Sequence, residues 1–335
     1  LEKGASVSVL GFRAKLPNRY GRLVTAGDGS LDAIVEANDA SEAQLRIDLA
    51  NSGVMAAPAK LMFELLKDVK NDNAKKEFYL TDLVSLARGR KLRAAAAHCE
   101  ERDVQGVNSQ AELAAVEQDF QAQARSRFMT DGVTLLDPET VYFAHDTKVA
   151  AGVTVEQNVV FGAGVSVAAG AVIRAFSHLE GAKVGEGAIV GPFARLRPGA
   201  VIGREAHIGN FVEVKNVTVG DGAKANHLSY LGDGEVGAGA NIGAGTIFCN
   251  YDGFFKYRTV IGANAFVGSN SSLVAPVTIG AGGYVGSGSV VVDDVPADAL
   301  TIARGRQSNK DGWAKAFRQT QSAAKKTGRK PPSAI

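Results

Sequence analysis

Cysteine is nearly absent: Cys99 and Cys249 are the only two in 335 residues, far apart and without metal-ligand spacing. That excludes a disulfide framework and predicts reduced thiols in a cytoplasmic protein. No run of about 18 apolar residues occurs, and no signal peptide, so a soluble chain is expected. Neither sign of charge dominates, with 37 Lys and Arg against 35 Asp and Glu, which argues against nucleic acid or an anionic membrane as partner. Among five histidines no pair is spaced for convergent zinc ligands, so no zinc site is expected. A glycine-rich phosphate loop is missing from residues 1–130. AGDGS (26–30) runs into LDAIVEA rather than a helix start, which predicts a hairpin turn. An initial Met is missing too. Leu1 opens inside an apolar strand pattern (Val7, Val9, Leu10), and the chain is expected to be a fragment lacking an N-terminal portion.

Glycine, by contrast, is abundant at 39, as turns of positive φ require. It punctuates a repeat. In VGPFARLRPGAVIGREAHIGNFVEVKNVTV (190–219) an aliphatic residue recurs at every sixth position: Val190, Leu196, Ile202, Ile208, Val214. A period of six suits neither a helix nor a simple strand. It suits a short strand and a tight turn, repeated around one axis as a β-solenoid of hexapeptides. Upstream the phase runs through Val149, Val155, Phe161, Val167, Ile173 and Leu179, then takes a shortened step to Val184. Downstream a second short step leads from Val214 to Val219, and Ala225, Leu231, Val236, Ile242 and Phe248 follow. The phase is lost over Cys249–Val260 and resumes from Ile261 to Val291. Three hexapeptides make an 18-residue coil, so roughly eight coils about 4.8 Å apart are expected, a stack about 40 Å long.

Before the repeat, strand-like runs alternate with helical ones, which argues α/β. Ser41 with Gln44 and Ser109 with Glu112 resemble capping boxes. Helices are expected at 59–69 after Pro58, at 80–88, and from Ser109 with Leu113, Val116 and Phe120 toward a core. After the repeat the chain turns basic, from Arg304, Arg306 and Lys310 to Lys325, Lys326, Arg329 and Lys330. Trp313 and Phe317 predict a short helix packing on the last coil; KKTGRKPPSAI predicts a disordered tail.

Arg197 and Lys215 are 18 apart and each follows a corner aliphatic, so one coil stacks them. Two such cations repel by about 1 to 4 kcal/mol, which an anion would relieve. A phosphate held by a bidentate Arg and a point-charge Lys fits. His227, in KANHLSYLG just past a shortened step, is the candidate proton acceptor for an amine nucleophile; His207, inside a regular repeat, reads as a wall residue. The loop CNYDGFFKYRT (249–259) breaks the repeat, as binding insertions do. Acyl transfer to another amine or hydroxyl, or a non-enzymatic trimeric solenoid for assembly, remain alternatives at this point.

GPFARLRPGA (191–200), HIGNFVEVKN (207–216), KANHLSYLGD (224–233), NIGAGTIFCNYDGFFK (241–256) and VGSNSSLVAPVTIG (267–280) closely resemble the bacterial bifunctional N-acetylglucosamine-1-phosphate uridyltransferase/glucosamine-1-phosphate acetyltransferases. RYGRL, AIVEANDA, NSGVMA, NDNAKKEFYLTD and VQGVNSQAEL resemble the second half of that family's uridyltransferase domain. The resemblance implies a partial, Rossmann-type nucleotide-sugar transferase-like α/β domain (1–112), a linker helix (113–140), a left-handed parallel β-helix of hexapeptide repeats (141–300) and a basic tail (301–335). The repeat alone does not give this hand, and the general preference for right-handed crossovers points the other way. The resemblance makes His227 the catalytic base and Arg197, Lys215, Tyr230, Asn241 and Lys256 the glucosamine-1-phosphate contacts. It assigns Ala244, Asn250, Tyr251, Ser269, Ser287 and Arg304 to acetyl-CoA, with Asn250 also near the reacting centre. Gly21, Glu36, Asn51, Thr81 and Asn108 become UDP-sugar contacts, Asn108 also a ligand of Mg²⁺. The family's glycine-rich nucleotide loop and its metal-binding Asp have no counterpart here, so this second site is expected to be incomplete and uridyl transfer lost. A homotrimer with active sites between subunits is implied as well; a narrow solenoid leaves broad faces to cover.

Overall fold

The structure is a computed structural model that describes residues 4–73 and 76–328. Leu1, Arg329 and Lys330, the last residues of the tail, and two residues of NDNAKKEFYLTD lie outside the described residues. The chain divides into two compact units, Leu1–Gln121 and Ala122–Ile335.

In the first unit, strands β1 (Val7–Arg13), β2 (Arg22–Thr25), β3 (Leu31–Val35), β4 (Leu49–Ala56) and β5 (Ala94–Cys99) form a sheet ordered β3-β2-β4-β1-β5. Strand β1 runs antiparallel to β4 and parallel to β5, so the sheet is mixed. The β2–β3 hairpin turns through AGDGS, where the Ser30 N–H and hydroxyl both donate to Asp28. A one-turn helix α1 (Glu42–Leu45) opens on the Ser41–Gln44 capping box, both bonds present. Helices α2 (Ala59–Leu66) and α3 (Asp82–Gly89) bury Leu65, Leu83, Val84 and Ala87 against Val7, Val9, Leu23 and Leu31. Each such aliphatic side chain contributes about 1.5–3 kcal/mol.

Helix α4 (Gln110–Thr130) starts where Ser109 Oγ accepts from the Glu112 N–H; the Glu112 carboxylate takes the Asn108 N–H instead of that of Ser109. The expectation that Leu113, Val116 and Phe120 reach a core is corrected. Leu113 is exposed and the other two are half-buried, while Ala124 and Phe128, a turn or two later, are the buried apolar residues. The linker helix expected to Thr140 ends at Thr130, and Thr134–Leu135 already pairs with Thr154–Val155.

The second unit is a left-handed parallel β-helix. Its longest face stacks ten strands, from Thr134–Leu135 to Leu300–Thr301, two more than the repeat count predicts, because the first and last of them lie outside the repeat. Strands pair across 18 residues where the repeat is regular (Arg195↔Glu213) and across 17 where it takes a short step (Glu213↔Tyr230). The aliphatic position of every repeat from Val155 to Val291 is buried, in columns one coil rise apart. Helix α4 closes the first coil. Phe128 meets Phe143 at 4.6 Å between ring centroids and Phe143 stacks on Phe161 at 5.1 Å. Arg125, itself buried, donates to the Val141 carbonyl (3.0 Å), the Glu139 carbonyl (3.2 Å) and the Glu139 carboxylate (3.0 Å).

Helix α5 (Trp313–Thr327) corrects two expectations. Lys325 and Lys326 belong to its last turn, where cations suit the helix dipole, rather than to a disordered tail. Trp313 and Phe317 stack on each other at 5.0 Å, but the helix buries none of its residues on the last coil. Two aromatics make too narrow an apolar stripe to seat a 15-residue helix.

Candidate functional site

One corner of the β-helix carries the candidate chemistry. At each coil the corner residue adopts a left-handed conformation: Phe211, Leu228, Gly245, Asn270 and Gly288 have φ between 51° and 75°. The N–H of each corner residue from Leu228 on donates to a carbonyl one coil back: Leu228 to Asn210, Gly245 to His227, Asn270 to Ala244, Gly288 to Ser269. Asn210, His227, Ala244, Ser269 and Ser287 therefore stand in one file. The candidate proton acceptor and three of the acetyl-CoA candidates are neighbours on successive coils. Arg304, past the last strand (Leu300–Thr301), lies alongside, its Cδ reaching the side-chain position of Gly288.

His227 is exposed, and its Nδ1 lies 2.9 Å from Asn210 Oδ1. An amide oxygen only accepts, so in the neutral ring Nδ1 carries the proton and Nε2 is left with the lone pair. A cleft of about 260 Å³ beside it is lined by Arg174, Pro192, His207, Asn210, Asn226 and His227. His207, read from sequence as a wall residue, thus faces the same opening.

The cations gather on the next face. The pairing Leu196↔Val214 sets Arg197 beside Lys215. Arg197 donates to Glu213 Oε1 at 2.8 Å, and Lys215 lies 3.6 Å from Asp233 Oδ2. The third cation, Lys256, arrives from the insertion. That loop is a tight hairpin: Tyr257 N–H donates to the Asn250 carbonyl, and Asp252 Oδ1 accepts the N–H groups of Phe254 and Phe255 at 2.7 and 2.6 Å. Lys256 comes against Lys215, whose hydrogen bond and charge push the Lys256 pKa below its usual value, while that same hydrogen bond, and then Asp233, help Lys215 keep its proton. Crowded cations of this kind are relieved by a multivalent anion.

Tyr230 shares this face, pairing with Glu213, and Gly232 leaves room that a larger residue would take from the Tyr230 hydroxyl and the Asn250 amide. Asn241 does not join them. It pairs with Lys224 and Phe266 on the adjoining face, beyond the His227 corner. Tyr251 is exposed and spends its hydroxyl on the Gly253 carbonyl at 2.6 Å. Cys99 and Cys249 are both free thiols.

Three groups around the site carry no functional signal in an 18-residue period: Asn210, Asn216 and Asp233. Their contacts, Asn210 to His227, Asn216 to Asp233 and Asn250 to Asp233, each span 17 residues. The short steps of the repeat are the signal that finds them.

In the first unit, Thr81 Oγ1 donates to Glu36 Oε1 at 3.4 Å, Asn51 N–H donates to the Gly21 carbonyl at 2.8 Å, and Gly21 abuts the Glu36 carboxylate. A neighbouring cleft of about 210 Å³ is lined by Arg19, Glu36, Ala37, Asn38 and Tyr79. Burial, then the carboxylates of Asp39, Glu77 and Glu36, pushes the Tyr79 pKa up. Asn108 is exposed, its N–H donated to Glu112. Among the described residues no three His, Cys, Asp or Glu side chains converge.

A left-handed β-helix of hexapeptides with its polar side chains filed along one corner defines a hexapeptide-repeat transferase. The family model "Bacterial transferase hexapeptide (six repeats)" matches residues 181–216 and 258–293. Over 321 residues the chain is 60% identical to the bifunctional protein GlmU of Caulobacter vibrioides, covering 96% of this chain and 70% of that one. It is 55% identical over 325 residues to GlmU of Azorhizobium caulinodans, covering 97% and 72%. The chain belongs to the GlmU family of bifunctional enzymes. Among solved structures, LpxA from Acinetobacter baumannii is similar at TM-score 0.36 and 14% identity, over 58% of this chain and 84% of that one.

Proposed function

We propose that the β-helix transfers the acetyl group of acetyl-CoA to the amine of glucosamine-1-phosphate, the step that supplies UDP-N-acetylglucosamine synthesis. The observation that carries this reading is the Nε2 of His227, left free by Asn210 on the corner file that continues through Ala244, Ser269 and Ser287, while Arg197 and Lys215 lie on the face that follows that corner. Arg197, Lys215 and Lys256 hold the sugar phosphate, with Tyr230 beside them and Asn241 contributed across the corner. The amine then attacks the thioester carbonyl. A C–N bond forms, the C–S bond breaks, and Nε2 takes the amine proton while the thiolate leaves and is protonated. Asn250, Tyr251 and Arg304 are assigned with that file to acetyl-CoA. In the first unit Gly21, Glu36, Asn51, Thr81 and Asn108 are proposed as UDP-sugar contacts, with Mg²⁺ supplying charge neutralisation at the phosphates when bound.

Three copies are proposed to complete the site, which then lies between subunits. Phe176, Phe193, Phe211 and Leu228 occupy one corner on consecutive coils, each 45–60% exposed. The rings stack at 4.9 and 5.2 Å. An apolar ladder ending next to His227 asks for cover by another subunit. No described helix is long and apolar enough to cross a membrane; with an acetyl-CoA substrate this supports a cytoplasmic location.

Thiol release from acetyl-CoA, with and without glucosamine-1-phosphate, tests the assignment. Release that depends on the sugar phosphate is expected; release indifferent to it, or none, overturns the reading.

A further inference from the structure

Asp233 has no place in the reaction above, yet among the described residues it is the only buried carboxylate. Only 9% of the residue is exposed, and it sits in a left-handed conformation (φ 52°) immediately after Gly232. Oδ1 accepts from Asn216 Nδ2 at 2.8 Å, one coil before. Oδ2 accepts from Asn250 Nδ2 at 2.6 Å, one coil after, and faces Lys215 Nζ at 3.6 Å. Burial alone would pull this carboxyl upward, but Asn216, Lys215 and Asn250 outweigh it and hold it below the usual carboxylate range. A buried carboxylate is tolerated only when it is paired in this way.

The geometry points to Asp233 as a positioning residue for acceptor binding. Resting on the acetyl-transfer reading, we propose that it locks two cations into one phosphate cradle. It acts directly on Lys215. It acts on Lys256 through Asn250, which is both the buried root of the inserted hairpin and the residue whose carbonyl closes it on Tyr257. One oxygen thus sets the wall that carries Lys215 and the loop that carries Lys256. Each of the three ladder side chains projects from the same position on its own coil, so a slip of any one displaces the hairpin against the wall.

The sign of the effect separates this role from simpler ones. Asp233 is an anion beside the phosphate site, so if it acted by charge alone its removal would tighten phosphate binding. If it served only the fold, its loss would lower the active fraction and leave KM alone. Positioning predicts the opposite of the first and a different parameter from the second. Asp233→Asn keeps the shape and tolerates the left-handed backbone, but it turns one acceptor toward a donor and breaks a rung. The expected result is a KM for glucosamine-1-phosphate raised about tenfold or more, with the inhibition constant of inorganic phosphate rising in parallel, since misplacement by about 1 Å costs up to a hundredfold. An unchanged or lowered KM, or an unchanged phosphate inhibition constant, overturns the proposal. Should Asp233→Asn not fold, Asn216→Ala frees Oδ1 alone and is expected to move both constants the same way by a smaller factor; no movement overturns the proposal equally. Absence of acceptor-dependent thiol release in the parent chain would instead defeat the acetyl-transfer reading before any variant is compared.

Discussion

Asn210 Oδ1 and His227 Nδ1 lie 2.9 Å apart on successive coils, and this one contact decides which nitrogen of the imidazole is free. Replacing Asn210 by Ala leaves the ring able to rotate and to take either tautomer. The expected outcome is a kcat about 10-fold to 100-fold lower with little change in KM, because orientation rather than binding is lost. His227→Ala removes the acceptor itself and is expected to cost about 10²- to 10⁴-fold in kcat with the fold retained. Steady-state rates with circular dichroism check both; an Asn210→Ala enzyme of parental kcat would remove Asn210 from the mechanism.

Lys256 should give acceptor binding an unusual pH dependence. Its charged form is disfavoured by Lys215, so as pH rises it loses its proton below the ordinary lysine value of 10.5. Affinity for the sugar phosphate therefore weakens through a window below that value, and a bound dianion pushes the pKa back up. In Lys256→Met that limb of the KM profile is expected to vanish. The sign for stability runs the other way: the crowded ammonium opposes folding at pH below its lowered pKa, so the variant should melt slightly higher in the absence of phosphate. A KM profile identical to the parent's would show that Lys256 does not meet the phosphate.

The closure of the first coil rests on Arg125. Arg125→Ala leaves the buried Val141 carbonyl without its donor and uncovers the Tyr142 ring, and should cost about 1–3 kcal/mol. Glu139 is 85% exposed on its side chain. Glu139→Ala should therefore cost less than its partner's removal, because two of Arg125's bonds go to main-chain carbonyls. Thermal melts of the two variants decide; equal losses would mean that the ion pair, not the carbonyl bonds, secures the end.

Coil spacing leaves no room at Gly209, where an added Cβ would overlap the Asn226 carbonyl of the next coil. Gly209→Ala is expected to destabilise by about 1–3 kcal/mol as an overpacking change and, next to Asn210 and its His227 contact, to lower kcat as well. Melting unchanged from the parent would show that the coils separate more easily than their hydrogen bonds suggest.

If the phenylalanine ladder is the face shared between copies, a charge in its middle should break the assembly. Phe193→Asp combined with Phe211→Asp is expected to sediment as a monomer and to lose acetyl transfer together with the trimer. A monomeric parent chain, or a trimer that survives both changes, would place the contact elsewhere.

The solenoid is legible in the amino-acid order alone. Six-residue periodicity leaves one geometry in which Val155, Ile173, Val190, Ile208 and their successors can all be buried, and glycine or left-handed corners recur where that geometry needs them. It also determined the stack of Arg197 on Lys215, because an unbroken 18-residue coil superposes residues without reference to anything else. Meetings that depend on irregular chain length become visible in three dimensions and not before. The short steps turn Asn210 onto His227 and thread Asn216, Asp233 and Asn250 into one ladder. The hairpin of the insertion swings Lys256 onto Lys215, and α5 stands unburied although its pattern suggested packing. The reason is physical: burial of a periodic apolar column is a local property summed over many coils. The contact of two outward polar side chains depends on the accumulated path of every residue between them, which no period encodes.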